Sequence, residues 1–235
     1  MLIDESKCIG CGNCLDYCPM NAIALDGDVA KIDQAECVEC SVCLRAQCCP
    51  TDAFYRPPLS YPRTLAWFFS DPASTHPSTE IPGRGTEEMK TNEITGRFPP
   101  GYAGIAIELG RPGIGTRFRE VEKVARAMAE FGVEFEAQNP VTALMTDPKT
   151  GALPSEIHDL KVLSAIVEFA VELPLVPRIL ERLQELAPAI KTVFSVDLAV
   201  RCREDGSSPV EGMSLPFSLS LNGKTNVGLG RPRHN

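Results

Sequence analysis

Beyond residue 49 the chain has a single cysteine, Cys202, and over all 235 residues it has only three histidines and one tryptophan. The histidines (His76, His158 and His234) are scattered, and no Ser/His/Asp or Cys/His partnering accompanies them, so the sequence offers no catalytic machinery of its own. Neither a Walker A loop nor a G-x-G-x-x-G fingerprint is present. Long apolar runs are also missing. The most apolar segment, "VLSAIVEFAVELPLVP" (162–177), is broken by Glu168, Glu172, Pro174 and Pro177 and is no membrane span. Met1 is followed by "LIDES", without a basic stretch or an apolar core, so no secretory signal is read and a cytoplasmic protein is expected. Positive charge is scarce at the front: residues 1–55 hold nine Asp/Glu against three Lys/Arg, and the whole chain has a net charge of −8. Nucleic acid is an unsuitable partner for such a face, whereas a basic patch on a protein, meeting acids such as Asp16, Glu36 and Glu39, would complement it.

What is abundant is cysteine, nine of the ten falling within residues 8–49. Without an export signal, this density points to metal binding rather than disulfides. "CIGCGNCLDYCP" spells C-x2-C-x2-C-x3-C-P. Three thiolates at this spacing can wrap one short loop around a polynuclear cluster, while the fourth, on a proline-fixed turn, reaches toward a second cluster. Zinc sites more often use two separated C-x2-C pairs.

The motif recurs. "IDESKCIGCGNCLDYCPMNAI" from Ile3 matches "IDQAECVECSVCLRAQCCPTDAF" from Ile32 at constant offset through Cys14/Cys43. The second copy then carries two extra residues, which leaves Cys48 and Cys49 as rival fourth ligands. Cys49 precedes Pro50 as Cys18 precedes Pro19, while Cys48 aligns with Tyr17, so Cys49 is the expected ligand and Cys48 a small buried neighbour.

On these motifs residues 1–55 resemble a bacterial-type dicluster ferredoxin. That family exchanges the fourth ligand between its clusters. The resemblance therefore implies two [4Fe–4S] clusters, with Cys8, Cys11, Cys14 and Cys49 on cluster I and Cys37, Cys40, Cys43 and Cys18 on cluster II.

Residues 56–102 are rich in Pro, Ser, Thr and Gly without sustained periodicity and read as an extended arm. Its aromatics Tyr61, Trp67, Phe68 and Phe69 suit either packing on the chain's own core or anchoring in a partner subunit. Residues 103–235 read as an α+β domain, a sandwich of mixed sheet and covering helices, suited to partner docking. "GIAIELG" and "KTVFSVDLAVRC" alternate as strands, the latter with Cys202 on its apolar face, and "TRFREVEKVARAMAEFG" has helical spacing between a Thr116 cap and a Gly132 stop. "VEFEAQ" and "PVTALMTDPKTG" suggest short strands, "LKVLSAIVEFAVEL" and "PRILERLQELA" two helical pieces, and "FSLSLNGKTNVGLG" a hairpin turning at Asn222-Gly223. The loop "LGRPGIGT" (109–116), leading into a helix, permits a phosphate-binding reading.

The whole chain, including "GRGTEEMKTNEITGRFPPGYAGIAIELGRPGIGT", also resembles the small iron–sulfur subunit of tungsten-dependent, class II benzoyl-coenzyme A reductase. That resemblance implies a non-catalytic electron-transfer subunit. A larger partner would carry tungsten-pterin, and single electrons would pass between it and further redox proteins. Two alternatives stand beside it: a free-standing ferredoxin-like carrier, or a redox-responsive regulator whose C-terminal domain binds a ligand.

Overall fold

The computed structural model describes residues 1–83, 98–111 and 113–216. The N-terminal region is closed by a two-stranded antiparallel pairing of β1 (Leu2–Ile3) with β4 (Phe54–Tyr55), which brings both ends of the repeat together. Between them β2 (Ile23–Asp26) and β3 (Val29–Ile32) form a hairpin, its turn at Gly27 in the left-handed region. The first cysteine motif ends in a 3-10 turn at Leu15–Tyr17, whereas the second forms a one-turn helix, α1 (Val42–Arg45). The two-residue insertion accounts for the difference, since it supplies enough chain to complete an α-turn and to reverse direction at Gln47 (φ 49°).

The stretch expected to be an irregular arm contains a helix, α2 (Arg63–Ser70). Leu65, Ala66 and Phe69 face the main core, and Phe69 meets Phe118 edge-on at 5.1 Å between ring centres. Eight residues are too few for a free helix, so tertiary burial of this face holds it in shape. The Ser70 hydroxyl, at the helix end, accepts the Leu163 N–H at 2.8 Å and ties α2 to the following domain.

That domain is built on a four-stranded antiparallel sheet in the order β10-β5-β9-β7, formed by β5 (Tyr102–Leu109), β7 (Glu134–Phe135), β9 (Ala165–Glu172) and β10 (Phe194–Val200). A separate small pairing joins β6 (Thr116–Arg117) to β8 (Lys161–Val162). One face of the main sheet, carrying Ile105, Ile107, Leu109, Val167, Phe169 and Val171, is covered by α3 (Phe118–Ala129) and α5 (Val176–Leu186), with the short α4 (Pro140–Leu144) beside them. Among the described residues no helix is long and apolar enough to cross a membrane.

Several expectations are corrected. The sheet is antiparallel rather than mixed. Residues 165–172 are a central strand and not a helix: flanked by β5 and β7, they are buried on both faces, and with Ile166 inside as well as Val167 the alternation is erased, while Glu168 and Glu172 imitate a helical spacing. Residues 140–144 are helical because the Asn139 side chain accepts the Val141 and Thr142 N–H groups and Pro140 suits the first turn. Helix α3 starts after Arg117, one residue beyond the expected Thr116 cap, because Thr116 is held in β6. Cys202 is exposed, lying beyond the end of β10 at Val200, which is the outer strand of the sheet among the described residues. The expected hairpin at 217–230 and His234 lie outside the described residues.

Candidate metal centre

The left-handed backbone recurs at matched positions of the two cysteine loops. Gly10 (φ 62°) and Gly12 (φ 75°) flank Cys11, and Glu39 (φ 58°) and Ser41 (φ 59°) flank Cys40. At Gly10 the requirement is also steric, because a Cβ there would stand 2.5 Å from the Asp28 carbonyl oxygen. Glu39 adopts the same conformation with its side chain buried. These turns point the thiols of each loop inward.

Two recesses result, both partly open to solvent. Cys8, Cys11, Cys14 and Cys49 wall the first, among Ile3, Ala30 and Phe54. Cys18, Cys37, Cys40 and Cys43 wall the second, among Met1, Ile23, Ile32 and Val38. The structure thus brings together both sets of cysteines suggested by the sequence, with Cys18 and Cys49 crossing over from the opposite motif.

Hydrogen bonds distinguish Cys49 from Cys48. The Ala22 N–H donates to Cys18 Sγ at 3.2 Å, and the Ala53 N–H donates to Cys49 Sγ at 3.3 Å, each four residues downstream through a left-handed Asn21 or Asp52. Cys48 has no counterpart of this bond. Its thiol donates instead toward the Cys43 carbonyl at 3.8 Å, and it lines neither recess. It does lie close enough to Cys11 and Cys14 for their charges to repel, but the lining and the Ala53 bond outweigh mere proximity. Burial raises the Cys48 thiol, with the neighbouring Cys49 and Cys11 adding to the effect. For Cys49 burial also acts upward, yet the Thr51 hydroxyl and the N–H groups of Ala53 and Thr51 overcome it and hold the thiol below its ordinary value.

In the second recess burial pushes Cys43 up to about 12, helped by the charges of Cys40, Cys37 and Cys18; Cys40 and, in the first recess, Cys14 are raised mainly by burial too. Four crowded thiolates in an apolar wall are unfavourable on their own. A positively charged iron core removes that conflict, and the donor set is the one such a core uses. Among the described residues no group of three His, Cys, Asp or Glu side chains is placed to hold a single metal ion.

Three charged groups around the second loop were not legible in the motif. Glu39 accepts from the Met1 ammonium at 2.5 Å and from Arg63, and Arg63 also donates to the carbonyls of Gln34 and Cys37, both at 2.9 Å. Burial alone would raise the Glu39 carboxyl, but these two donors bring it below its usual range. Asp71 binds Arg45 at 2.6 Å and Arg56 at 2.8 Å, and Arg45 continues to the Cys40 carbonyl at 2.6 Å. Glu36 takes Arg117 and Lys161, each at 2.5 Å. The acids expected on a docking face are therefore not all available for it: Glu39 is buried and Glu36 is engaged within the chain. The only hint in the sequence was Glu39 itself, a carboxylate standing where the first copy has Gly10.

In the 109–116 loop two of the N–H groups that a phosphate would need are already engaged. The Ile114 and Gly115 N–H groups both donate to the Gly110 carbonyl, at 3.2 and 2.9 Å, and Thr116 enters β6 rather than a helix.

A 4Fe-4S binding domain family matches residues 1–24. A "ferredoxin-like protein in vnf region" of Azotobacter chroococcum is 37% identical over 60 residues, which are 24% of this chain and 92% of the relative. The chain belongs to the ferredoxin family. A ferredoxin of Methanothermococcus thermolithotrophicus agrees at 45% identity over 56 residues, 22% of this chain and 87% of its own length. An uncharacterized ferredoxin of Methanocaldococcus jannaschii is 37% identical over 57 residues, 23% of this chain and 71% of its length. No solved structure matches the chain. The N-terminal region is thus a ferredoxin-like iron–sulfur electron-carrier domain, and these relatives extend over only about a quarter of this ferredoxin's chain.

Proposed function

We propose that this chain carries two [4Fe–4S] clusters, with Cys8, Cys11, Cys14 and Cys49 on cluster I and Cys37, Cys40, Cys43 and Cys18 on cluster II, and that it relays single electrons within a larger oxidoreductase. The observation that carries this reading is the pair of recesses, each walled by four cysteines drawn three from one motif and one from the other. Such clusters change charge by one electron each and need no acid, base or nucleophile from the protein, which suits a chain whose two described histidines stand apart from the cysteines. His76 is buried beside Phe68 and Phe69, and His158 faces Glu122.

The remaining residues favour a built-in relay over a free-standing carrier, because α2 and the following domain grip the cluster II loop. The resemblance to the small subunit of benzoyl-coenzyme A reductase names one oxidoreductase of this type, with a tungsten-pterin partner; the relatives cover only the ferredoxin region and add nothing to that choice. The regulator alternative rested on the 109–116 loop, whose Ile114 and Gly115 N–H groups are already engaged.

The test is a reductive titration of the anaerobically prepared chain. Uptake of about two electrons per chain, one per cluster, with bleaching of the cluster absorption and full recovery on adding a one-electron acceptor, is expected. Uptake of one electron, or bleaching without recovery, would contradict the relay.

A further inference from the structure

The two recesses differ in electrostatic surroundings. The cluster II loop is ringed by three carboxylates, and each is bracketed by two cations: Glu39 by Arg63 and the Met1 ammonium, Asp71 by Arg45 and Arg56, and Glu36 by Arg117 and Lys161. Five cationic side chains thus face three carboxylates. Arg63 and Arg45 reach further and donate to the carbonyls of Cys37 and Cys40. Around cluster I, among the described residues, no cationic side chain donates to a carbonyl of Cys8, Cys11, Cys14 or Cys49, and Cys11 is exposed. Lys31, in the adjoining hairpin, is exposed and bound to Asp26.

We infer that this cationic collar, supplied mostly by α1, α2, β6 and β8, holds cluster II at a higher reduction potential than cluster I, so that electrons entering the chain come to rest on cluster II. The inference rests on the two-cluster reading proposed above. A [4Fe–4S] cluster gains one negative charge on reduction, and nearby cations and hydrogen-bond donors stabilise the charged state while solvent screens it. Low solvent access at cluster II, where Val38 is buried and Met20 Sδ lies against Gly115, weakens the screening of these cations but by itself disfavours the extra negative charge, so the collar is what must raise the potential. Arg63, Arg45, Lys161 and Glu36 are positioning residues here, since they act through charge and through the backbone of the ligand loop and bind no iron.

The experiment is a potentiometric titration followed by paramagnetic resonance on the full, iron-loaded chain, with Cys11→Ser marking cluster I by its altered signal. The wild type is expected to show two midpoints, the lower bearing the Cys11→Ser mark. Arg63→Gln and Lys161→Gln should lower only the upper midpoint, and Arg63→Lys should restore most of the shift. Glu36→Gln should raise the upper midpoint. This opposite sign separates charge from structure, because loosening the loop by either Lys161→Gln or Glu36→Gln would move the potential in the same direction. If Arg63→Gln fails to load iron, Lys161→Gln and Glu36→Gln decide the matter, because among the described residues neither native side chain bonds a carbonyl of a cysteine ligand. A marked cluster with the upper midpoint, or no response to these substitutions in protein with its full iron, overturns the inference alone; a wild type with a single cluster overturns it together with the two-cluster reading.

Discussion

At the level of single residues, local hydrogen bonding distinguishes Cys49 from its neighbour Cys48. Pro50 fixes the turn, Asp52 takes the left-handed conformation, and the Ala53 N–H then meets Cys49 Sγ just as Ala22 meets Cys18. Cys48, one residue earlier, lacks such a bond and donates toward the Cys43 carbonyl. Cys49→Ala is therefore expected to lose cluster I or convert it to a three-iron form, whereas Cys48→Ala retains both clusters; paramagnetic resonance of the reduced variants checks this, and the reverse pattern would show that the inserted loop had shifted the ligand. Gly10 marks the same precision on the other loop. Gly10→Ala would put a methyl group against the Asp28 carbonyl and displace the β2–β3 turn.

Among the elements, α2 has the largest consequence for what the chain does. It was open whether its aromatics anchor a partner or belong inside, and the packing favours the inside: Phe69 lies between Phe118 and His76, while Trp67 stacks beneath Arg56 at 5.1 Å and donates to Asp71 at 3.2 Å. The helix is then a brace whose one face enters the main core and whose first residue, Arg63, holds the cluster II loop. Phe69→Ala should cost about 3–5 kcal/mol, the range for truncating a buried Phe, measured by denaturant unfolding of the full chain. Replacing Trp67, Phe68 and Phe69 together with Ser should unfold the brace and release iron. A triple variant that stays folded and loaded but loses an associated subunit would instead assign these rings to an interface.

At the scale of the whole molecule, legibility followed the source of the constraint. The cysteine motifs could be read because cluster chemistry imposes spacing on neighbours in sequence, and the repeat then favoured Cys49 over Cys48. Strand β5 stayed legible although it is buried on both faces, because its second face carries only Gly104, Ala106 and Glu108 between Ile105, Ile107 and Leu109, and β10 and helix α3 kept readable periods. Strand β9 did not, because burial on both sides removes the alternation. The grip on the cluster II loop was invisible for a different reason: Arg63, Arg117 and Lys161 lie 24, 81 and 125 residues from their carboxylate partners, and no local pattern encodes such a meeting. The same fusion of carrier and appended domain gives the proposed relay its asymmetry, with one cluster gripped and the other beside the exposed Cys11 and Ile9.

The central claim is that these cysteines hold two complete clusters, and metal content tests it most directly. Two recesses of four thiols each, filled by four-iron cores, require about eight iron and about eight acid-labile sulfides per chain. Anaerobically purified or reconstituted protein should give those values with no stoichiometric zinc. About four iron per chain, or zinc in place of iron, would contradict the account.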